Sequence, residues 1–165
     1  MKKILVAFAL CITSFLYAQN ELSLDLGDAL VMKTLEVSYE RYIESQSSVG
    51  ISALFNFEKT TADFRYNEKR MFTPFFRQYF TSDKTFNYFG ELFLGFNSGE
   101  KKQTVDNVTN YIKYNDGMLG ISAGAKYTSN GGFTANILAG AARNMFNSDS
   151  PAIVPRVGIN VGYRF

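Results

Sequence analysis

Apolar and polar residues alternate with a period of two along most of this chain, and the last segment shows the pattern most clearly. In residues 156–165, the odd-numbered positions hold the apolar side chains Val157, Ile159, Val161, Tyr163 and Phe165. The even-numbered positions, which have the other parity, hold Arg156, Gly158, Asn160, Gly162 and Arg164. A period of two predicts a β-strand rather than a helix. The segment is also nearly as long as a tilted strand that crosses a bilayer.

The same alternation recurs along the chain and predicts eight strands. They cover residues 20–28, 34–44, 47–58, 69–80, 86–98, 116–128, 132–143 and 155–165. The segment from Met71 to Phe80 is the least regular, because Pro74 has no N–H to donate to a strand ladder. A closed barrel has no free edge for such a residue, so we expect a β-bulge there.

The predicted connections alternate between tight turns and long polar loops. Tight turns are predicted at 44–47, 81–85 and 129–132, the last with the hairpin signal Asn130-Gly131. Long loops are predicted at 59–68, 99–115 and 144–154. Outer-membrane barrels have an even number of strands, short periplasmic turns and longer external loops. The sequence therefore predicts an all-β fold, an eight-stranded antiparallel up-and-down transmembrane β-barrel, in which the short connection at 29–33 is also external.

The N-terminus has the features of a secretory signal peptide. Lys2 and Lys3 precede an apolar stretch, and Ala18 supplies a small residue before the polar Gln19. An uncleaved anchor is the alternative, but the apolar stretch is short for a spanning helix of roughly 20 residues. We therefore predict a signal peptide at 1–18, cleaved after Ala18, and an outer-membrane barrel domain at 19–165.

Composition and charge narrow the function classes. The whole chain has 17 basic and 15 acidic residues, and removal of Lys2 and Lys3 with the signal leaves 15 of each. Such a balance gives no basic surface for nucleic acid. Aromatic residues make up 16% of the chain and charged residues 19%. A barrel reconciles these values, because only every second residue of each strand meets lipid.

Several segments of the mature chain carry a resemblance to a known group of proteins. They are residues 36–41, 48–52, 73–77, 97–100, 146–151 and 155–165, together with the signal end Tyr17-Ala18-Gln19. These segments resemble small outer-membrane β-barrel proteins of Bacteroidetes-type bacteria and, more distantly, OmpA- and OmpX-like barrels. The resemblance implies an eight-stranded barrel in contact with outer-membrane lipid, and it implies no agreed activity.

The C-terminal residues add an implication of the same resemblance. In that class of barrels, a final Phe preceded by apolar residues at alternate positions is recognised by the barrel-assembly machinery. Ile159, Val161, Tyr163 and Phe165 match the pattern. The resemblance thus implies that these four residues are an assembly signal and that the assembly machinery is a partner during insertion. An ordinary final strand that happens to end in Phe is the alternative.

The sequence offers no catalytic, cofactor or metal site. It contains no His, and its single Cys lies in the predicted signal peptide. A Ser-His-Asp triad, a histidine base and the usual zinc or copper ligands are therefore excluded from the mature chain. We predict a protein that is not an enzyme and that needs no cofactor.

Charged residues share the inward parity of the predicted barrel. They are Asp25, Glu36, Glu40, Arg77, Glu91, Lys126, Arg156 and Arg164. The interior of an eight-stranded barrel is just wide enough for side chains to fill, and unpaired buried charge is very costly. We therefore predict a lumen network of structural ion pairs, with Arg77 and Glu91 on adjacent strands as the first pair. A carboxylate-pair hydrolase or a proton path is the less favoured interpretation.

Three functions remain open at this stage. The first is a structural or surface-interaction protein of the outer membrane, whose external loops reach an envelope or surface partner. The second is a small channel or transporter for an ion or an apolar molecule, since Phe89 and Phe93 have lumen parity. The third is a soluble periplasmic lipocalin-like ligand binder, because parity alone does not say which face is outside. The aromatic residues, the loop lengths and the final Phe favour the membrane.

Overall fold

The computed structural model describes residues 19–58, 68–81, 85–105 and 108–165. Within them, strands paired in sequence order close into an antiparallel barrel in which β8 pairs with β1. The strands are β1 (Asn20–Asp25), β2 (Thr34–Glu44), β3 (Ser47–Asn56), β4 (Glu68–Tyr79), β5 (Phe86–Val105), β6 (Val108–Thr128), β7 (Phe133–Asn144) and β8 (Ile153–Arg164). The predicted eight-stranded antiparallel barrel is confirmed. The predicted signal peptide lies outside the described residues and stays a prediction.

The alternation of the sequence becomes an apolar outer wall and a polar lumen. On β8, Ile159 is 54% exposed, whereas its neighbour Asn160 is 5% exposed. A lipocalin-like barrel would have the opposite arrangement, with its apolar side chains pointing inward. The structure therefore disfavours the soluble alternative. In the described part of the chain, no helix combines the length and the apolar composition that crossing a membrane requires.

The two ends of the barrel differ, and we name them by their connections. One end carries the start of β1 and the end of β8, joined where the Asn20 N–H donates to the Phe165 carbonyl at 2.9 Å and the Phe165 N–H donates to the Asn20 carbonyl at 2.8 Å. The strands β2, β4 and β6 also end there, and we call it the turn end. The opposite end carries the β5–β6 hairpin and the 145–152 connection, and we call it the hairpin end.

The bulge expected at Pro74 is absent, and that prediction is wrong. Pro74 pairs in register with Ile51 on β3. The pairing of β4 with β5 passes over Thr73 and Pro74 and resumes at Phe75 in the same register. A proline leaves only one ladder position unfilled, so the wall tolerates it without inserting an extra residue. The register shift of β4 lies instead between Glu68 and Arg70.

Two other boundaries differ from the sequence prediction. The predicted loop at 99–115 is largely strand, because β5 and β6 stay paired from Gly99–Tyr114 out to Val105–Val108. Its polar composition indicated a loop, yet Val, Thr, Ile and Tyr residues there favour extended backbone. The first strand, predicted to reach residue 28, ends at Asp25 and is followed by a short helix, α1 (Leu26–Met32). Lys33 then adopts a φ of 48°, a conformation common just after a helix.

Aromatic side chains form two bands on the outer wall. The hairpin-end band contains Phe55, Phe72, Phe96 and Phe146. The turn-end band contains Phe80, Phe86, Tyr88, Phe133, Tyr163 and Phe165. Phe86 and Phe96 lie ten positions apart on β5, which corresponds to roughly 25 Å along the axis of a barrel with tilted strands. This spacing matches the apolar belt of a barrel that crosses a bilayer.

The part of the β5–β6 hairpin beyond Gly99 and Tyr114 should be dispensable for folding. Glu100 and Lys113 are paired, so replacing residues 101–112 by Asn-Gly closes the same ladder with a favourable turn. We expect the shortened protein to show the same heat-dependent shift in gel migration as the wild type. The control removes Phe93-Leu94 and their partners Leu119-Gly120, which shortens the barrel wall itself. Loss of the shift in the hairpin variant would contradict the assignment.

Candidate functional site

Charged side chains from six strands converge in the lumen. All eight residues expected there belong to described strands, and all but Arg164 are buried. Arg164 lies at the turn end with its side chain 21% exposed. The reason is local. Each of these residues occupies the parity opposite to the exposed apolar residues beside it on its strand, so the pleat directs it inward.

Glu40 on β2 is the centre of the network. Its Oε2 lies 2.8 Å from Arg77 Nη1 on β4 and 2.7 Å from Lys126 Nζ on β6. Its Oε1 accepts hydrogen bonds from the Tyr79 hydroxyl at 2.6 Å and the Ser48 hydroxyl at 2.5 Å. One carboxylate thus accepts hydrogen bonds from four side chains on three strands, and two of these side chains are positively charged. Charge-assisted bonds of this kind are the strong ones.

The network continues from Arg77 toward the hairpin end. Arg77 Nε lies 2.6 Å from Glu91 Oε2, which forms the ion pair expected between β4 and β5. Glu91 Oε1 lies 3.0 Å from Arg156 Nε and also accepts a hydrogen bond from the Ser122 hydroxyl at 2.9 Å. Arg156 Nη1 lies 3.2 Å from Glu36 Oε1. Opposite charges therefore alternate along a continuous line through the lumen.

The turn end of the network depends on Glu21, which the sequence analysis did not single out. Glu21 Oε1 lies 2.9 Å from Lys126 Nζ, and its Oε2 lies 3.6 Å from Arg164 Nη2. The Tyr42 hydroxyl donates to the same Oε2 at 3.1 Å. The signal was present, because Glu21 has the same parity as Asp25, which was assigned to the lumen.

Aromatic rings fill the space beside the cations. The Arg77 guanidinium lies 4.5 Å from the centre of the Phe75 ring and 4.6 Å from that of Phe89. Arg156 lies 5.0 Å from the centre of the Phe93 ring. Phe89 and Phe93 are each 1% exposed. The two rings that suggested an apolar passage are thus packed against cations, in the geometry of cation–π pairs.

Asp25 lies at the side of the lumen, next to β8. Its Oδ1 accepts a hydrogen bond from the Ile159 N–H at 3.4 Å. A Cβ at Gly158 would stand 2.4 Å from its Oδ2. Glycine is therefore required at 158 for Asp25 to approach the β8 backbone this closely.

A second polar cluster closes the hairpin end around Asp116. Its carboxylate accepts N–H bonds from Gly117 at 2.7 Å, Phe146 at 2.9 Å and Asn147 at 3.1 Å, and a hydroxyl bond from Ser150. Burial opposes ionisation of this group, but these four donors outweigh it and hold the pKa of Asp116 below its ordinary value. The cluster fixes the 145–152 connection to the barrel rim.

Glu68 lies at the same end and behaves differently. It is buried, and its Oε1 accepts a hydrogen bond from the Tyr114 hydroxyl at 3.1 Å. Burial raises the pKa of Glu68 above the ordinary value of a glutamate. No group of three or more His, Cys, Asp and Glu residues suited to a metal ion occurs among the residues that the structure describes.

The free space in the lumen is distributed unevenly. Beside Asp25, Glu36 and Arg156 the cavity measures about 10 Å³, the lower limit for a single water molecule. A larger cavity of about 350 Å³, referred to below as the bowl, lies at the turn end, and Tyr42, Thr128 and Arg164 contribute to its lining. The carboxylates near the middle of the barrel are thus held by cations, in a space that leaves no room for a substrate beside them.

Comparison with known proteins identifies the fold class. No family model matches the chain, and no curated protein sequence matches it. Among solved structures, it is similar to the N-terminal β-barrel domain of Pseudomonas aeruginosa OprF, with a TM-score of 0.62 and 11% identity. That match covers 90% of this chain and 96% of the other. The chain therefore has the fold of an eight-stranded outer-membrane β-barrel of the OmpA-like kind.

Two further structures support the same conclusion. Neisserial surface protein A matches with a TM-score of 0.56 and 10% identity, over 90% of this chain and 96% of the other. Ail, the attachment invasion locus protein of Yersinia pestis, matches with a TM-score of 0.50 and 15% identity, over 90% of this chain and 95% of the other. At these identities the likeness concerns the fold alone.

Removing the lumen lysine should destabilise the barrel strongly. In the Lys126→Met variant, Glu21 loses its closest cation and Glu40 loses one of two, so we expect a loss of about 3–5 kcal/mol in the free energy of unfolding. Urea unfolding in detergent micelles, followed by circular dichroism, measures it. The matched control is Lys113→Met, an exposed lysine on the same strand. Adding Glu21→Gln to Lys126→Met should recover part of the loss, and full additivity would contradict the coupling.

The Asp116 cluster should make stability depend on acid pH. A carboxyl group with a lowered folded-state pKa contributes fully above the unfolded value of about 4, and the contribution disappears as pH falls through the folded value. We expect Asp116→Asn to lose about 1–3 kcal/mol at neutral pH and to unfold with a weaker pH dependence below about pH 4. Asp149→Asn, an exposed residue of the same connection, serves as the control. An unchanged acid profile in Asp116→Asn would refute the assignment.

Proposed function

We propose that this protein is a structural or surface-interaction protein of the outer membrane, with a plugged lumen and no catalytic activity. The observation that carries the proposal is the combination of an apolar, aromatic-banded outer wall with an interior occupied by paired charges. Such a cylinder matches lipid outside. Inside, each charge in the line from Glu21 to Glu36 has an opposite charge within ion-pair distance.

The orientation and biogenesis belong to the same proposal. Short turns face the periplasm and long connections face outward in this class of barrels, so the turn end is periplasmic and the hairpin end external. Export follows from the signal peptide at 1–18, cleaved after Ala18. Ile159, Val161, Tyr163 and Phe165 serve as the assembly signal for the barrel-assembly machinery. Their support is that Ile159, Tyr163 and Phe165 are exposed on the outer wall.

The external connections are the segments we assign to an envelope or surface partner. The β5–β6 hairpin extends past the barrel rim, and the 145–152 connection is held in place by Asp116. Two structural neighbours are named a surface protein and an attachment invasion locus protein. Those names agree with a surface role for the same fold and supply no partner for this chain.

A small channel is the second candidate, because the bowl at the turn end gives solvent access to part of the lumen. Planar-bilayer conductance separates the two functions. We expect no steady current from the wild type. We expect measurable leakage from Arg77→Ala combined with Lys126→Ala, since both side chains sit in the narrow part of the lumen.

The control for this measurement is Lys101→Ala combined with Lys113→Ala, which removes two cations from the protruding hairpin and leaves the lumen intact. Every variant is first checked for the heat-dependent gel shift, so that unfolded protein is not scored as a closed channel. A steady open-channel current from the wild type would replace the plugged barrel with a channel. Recovery of the wild type in the soluble periplasmic fraction without detergent would reject both.

A further inference from the structure

A groove of about 630 Å³ runs along the outer wall at the hairpin end. Aromatic side chains from three strands and from the segment after β7 form its sides: Phe55, Phe72, Phe96 and Phe146. All four are exposed and none points into the lumen. The groove therefore opens sideways from the barrel, within the aromatic band.

Small residues between these rings create the groove. Ala53 is paired with Phe72, and Gly117 is paired with Phe96, so a small residue lies beside each of these two rings. A Cβ at Gly117 would lie 2.8 Å from the ring of Phe146, which folds over the bare backbone. Ala53 and Gly117 leave the wall low at their positions, and the neighbouring rings project beyond it and form the sides of the groove.

The backbone that carries the Phe146 ring is held in place, although 81% of the residue is exposed. The Phe146 N–H donates to Asp116 Oδ1 at 2.9 Å, and the preceding Met145 N–H donates to the Gly117 carbonyl at 3.0 Å. Two backbone bonds thus fix the point from which this apolar side chain extends outside the barrel. Less backbone entropy is lost on binding when the backbone beside a groove is already ordered.

Basic side chains lie beyond the aromatic part of the groove, on the side away from the turn end. The register shift in β4 makes Lys69 an extra residue, and Lys69 and Arg70 are both exposed instead of alternating. Arg70 lines the groove itself. A second cavity of about 190 Å³ shares Ser98 and Asn115 with the groove, and Lys69 and Lys113 contribute to its lining.

The charges around this second cavity have a positive excess. The half-buried Glu100 also lines it. Two cations of this cavity, Lys69 and Lys113, and Arg70 in the adjoining groove thus accompany one carboxylate. Asp116 lines the groove, but its oxygens are engaged by the donors of the 145–152 connection. An apolar trough thus continues into a cationic recess at its outer end.

We propose that this groove binds one outer-leaflet lipid, with an acyl chain along the aromatic sides and an anionic phosphate headgroup against Lys69, Arg70 and Lys113. The proposal rests on the membrane orientation proposed above. Toward its outer end the groove changes from apolar to cationic. This change complements a lipid at the external interface, which passes from apolar chains to an anionic headgroup. A soluble ligand fits less well, because the aromatic part faces the lipid phase and not the water.

Native mass spectrometry of the full barrel in detergent micelles tests the proposal. The probe is dimyristoyl phosphatidic acid, and dimyristoylglycerol, which has the same chains without the phosphate, is the comparison. We expect one bound phosphatidic acid per chain and weaker retention of the glycerol lipid. Arg70→Gln combined with Lys113→Gln should weaken the phosphatidic acid complex roughly tenfold, and Ala53→Phe, which fills the groove, should weaken binding of both lipids.

The matched control is Arg143→Gln. Arg143 lies on β7 near the same rim, is exposed, and lines neither the groove nor the recess. An equal loss of binding in Arg143→Gln, or equal retention of the two lipids, would overturn the proposal. Displacement of the lipid by inorganic phosphate, with no effect of Ala53→Phe, would show an anion site only. A paired-chain mass that Ala53→Phe abolishes would identify a second copy as the occupant.

The outcomes also separate this proposal from the proposed function. The heat-dependent gel shift and recovery in the membrane fraction report whether the chain is a membrane barrel at all. A protein that passes both checks and binds neither lipid retains its proposed function and refutes the lipid site.

Discussion

Neutralisation of buried charge is the constraint on which this barrel depends. The hydrophobic effect drives a soluble protein to bury apolar side chains, but here most of those side chains lie on the outer wall. The interior is therefore ordered by hydrogen bonds, which require a particular geometry, and by ion pairs, which require opposite charges. Glu40 illustrates this, since two cations and two hydroxyl groups must reach one carboxylate at once. An unmatched charge in such a space would cost several kcal/mol.

The same constraint fixes the geometry of the wall. Ladder hydrogen bonds join only neighbouring strands, whereas Lys126 on β6 reaches Glu21 on β1 and Glu40 on β2, across the lumen. A slip of one residue in any of these strands would turn its charged side chain toward the outer surface and its apolar ones inward. The ion pairs thus act as cross-barrel ties that specify register.

Much of this could be predicted from the sequence, because parity alone assigns each residue to a face. It placed Arg77, Glu91 and Arg156 inside and the apolar residues of β8 outside. Parity does not give distances across the barrel. The parity of Glu21 indicates the lumen, but its ion pair with Lys126 and the central role of Glu40 could not be predicted from the sequence. Nor does it show where two strands continue past the rim, since residues exposed on both faces of a hairpin look like a polar loop.

The hairpin end was the least predictable region, for a related reason. Its groove arises because Gly117 and Ala53 lack a large side chain, and because Lys69 is an extra residue at the register shift of β4. Neither feature changes the alternation of the neighbouring residues. One side of the groove is the ring of Phe146, which belongs to the 145–152 connection. The Phe146 N–H donates to the carboxylate of Asp116. The middle of the barrel and its rim thus follow different rules. In the lumen each charged side chain must lie beside an opposite charge. The exposed side chains of the outer wall at the rim have no such requirement, so the chemistry of a binding partner can decide which residues occur there.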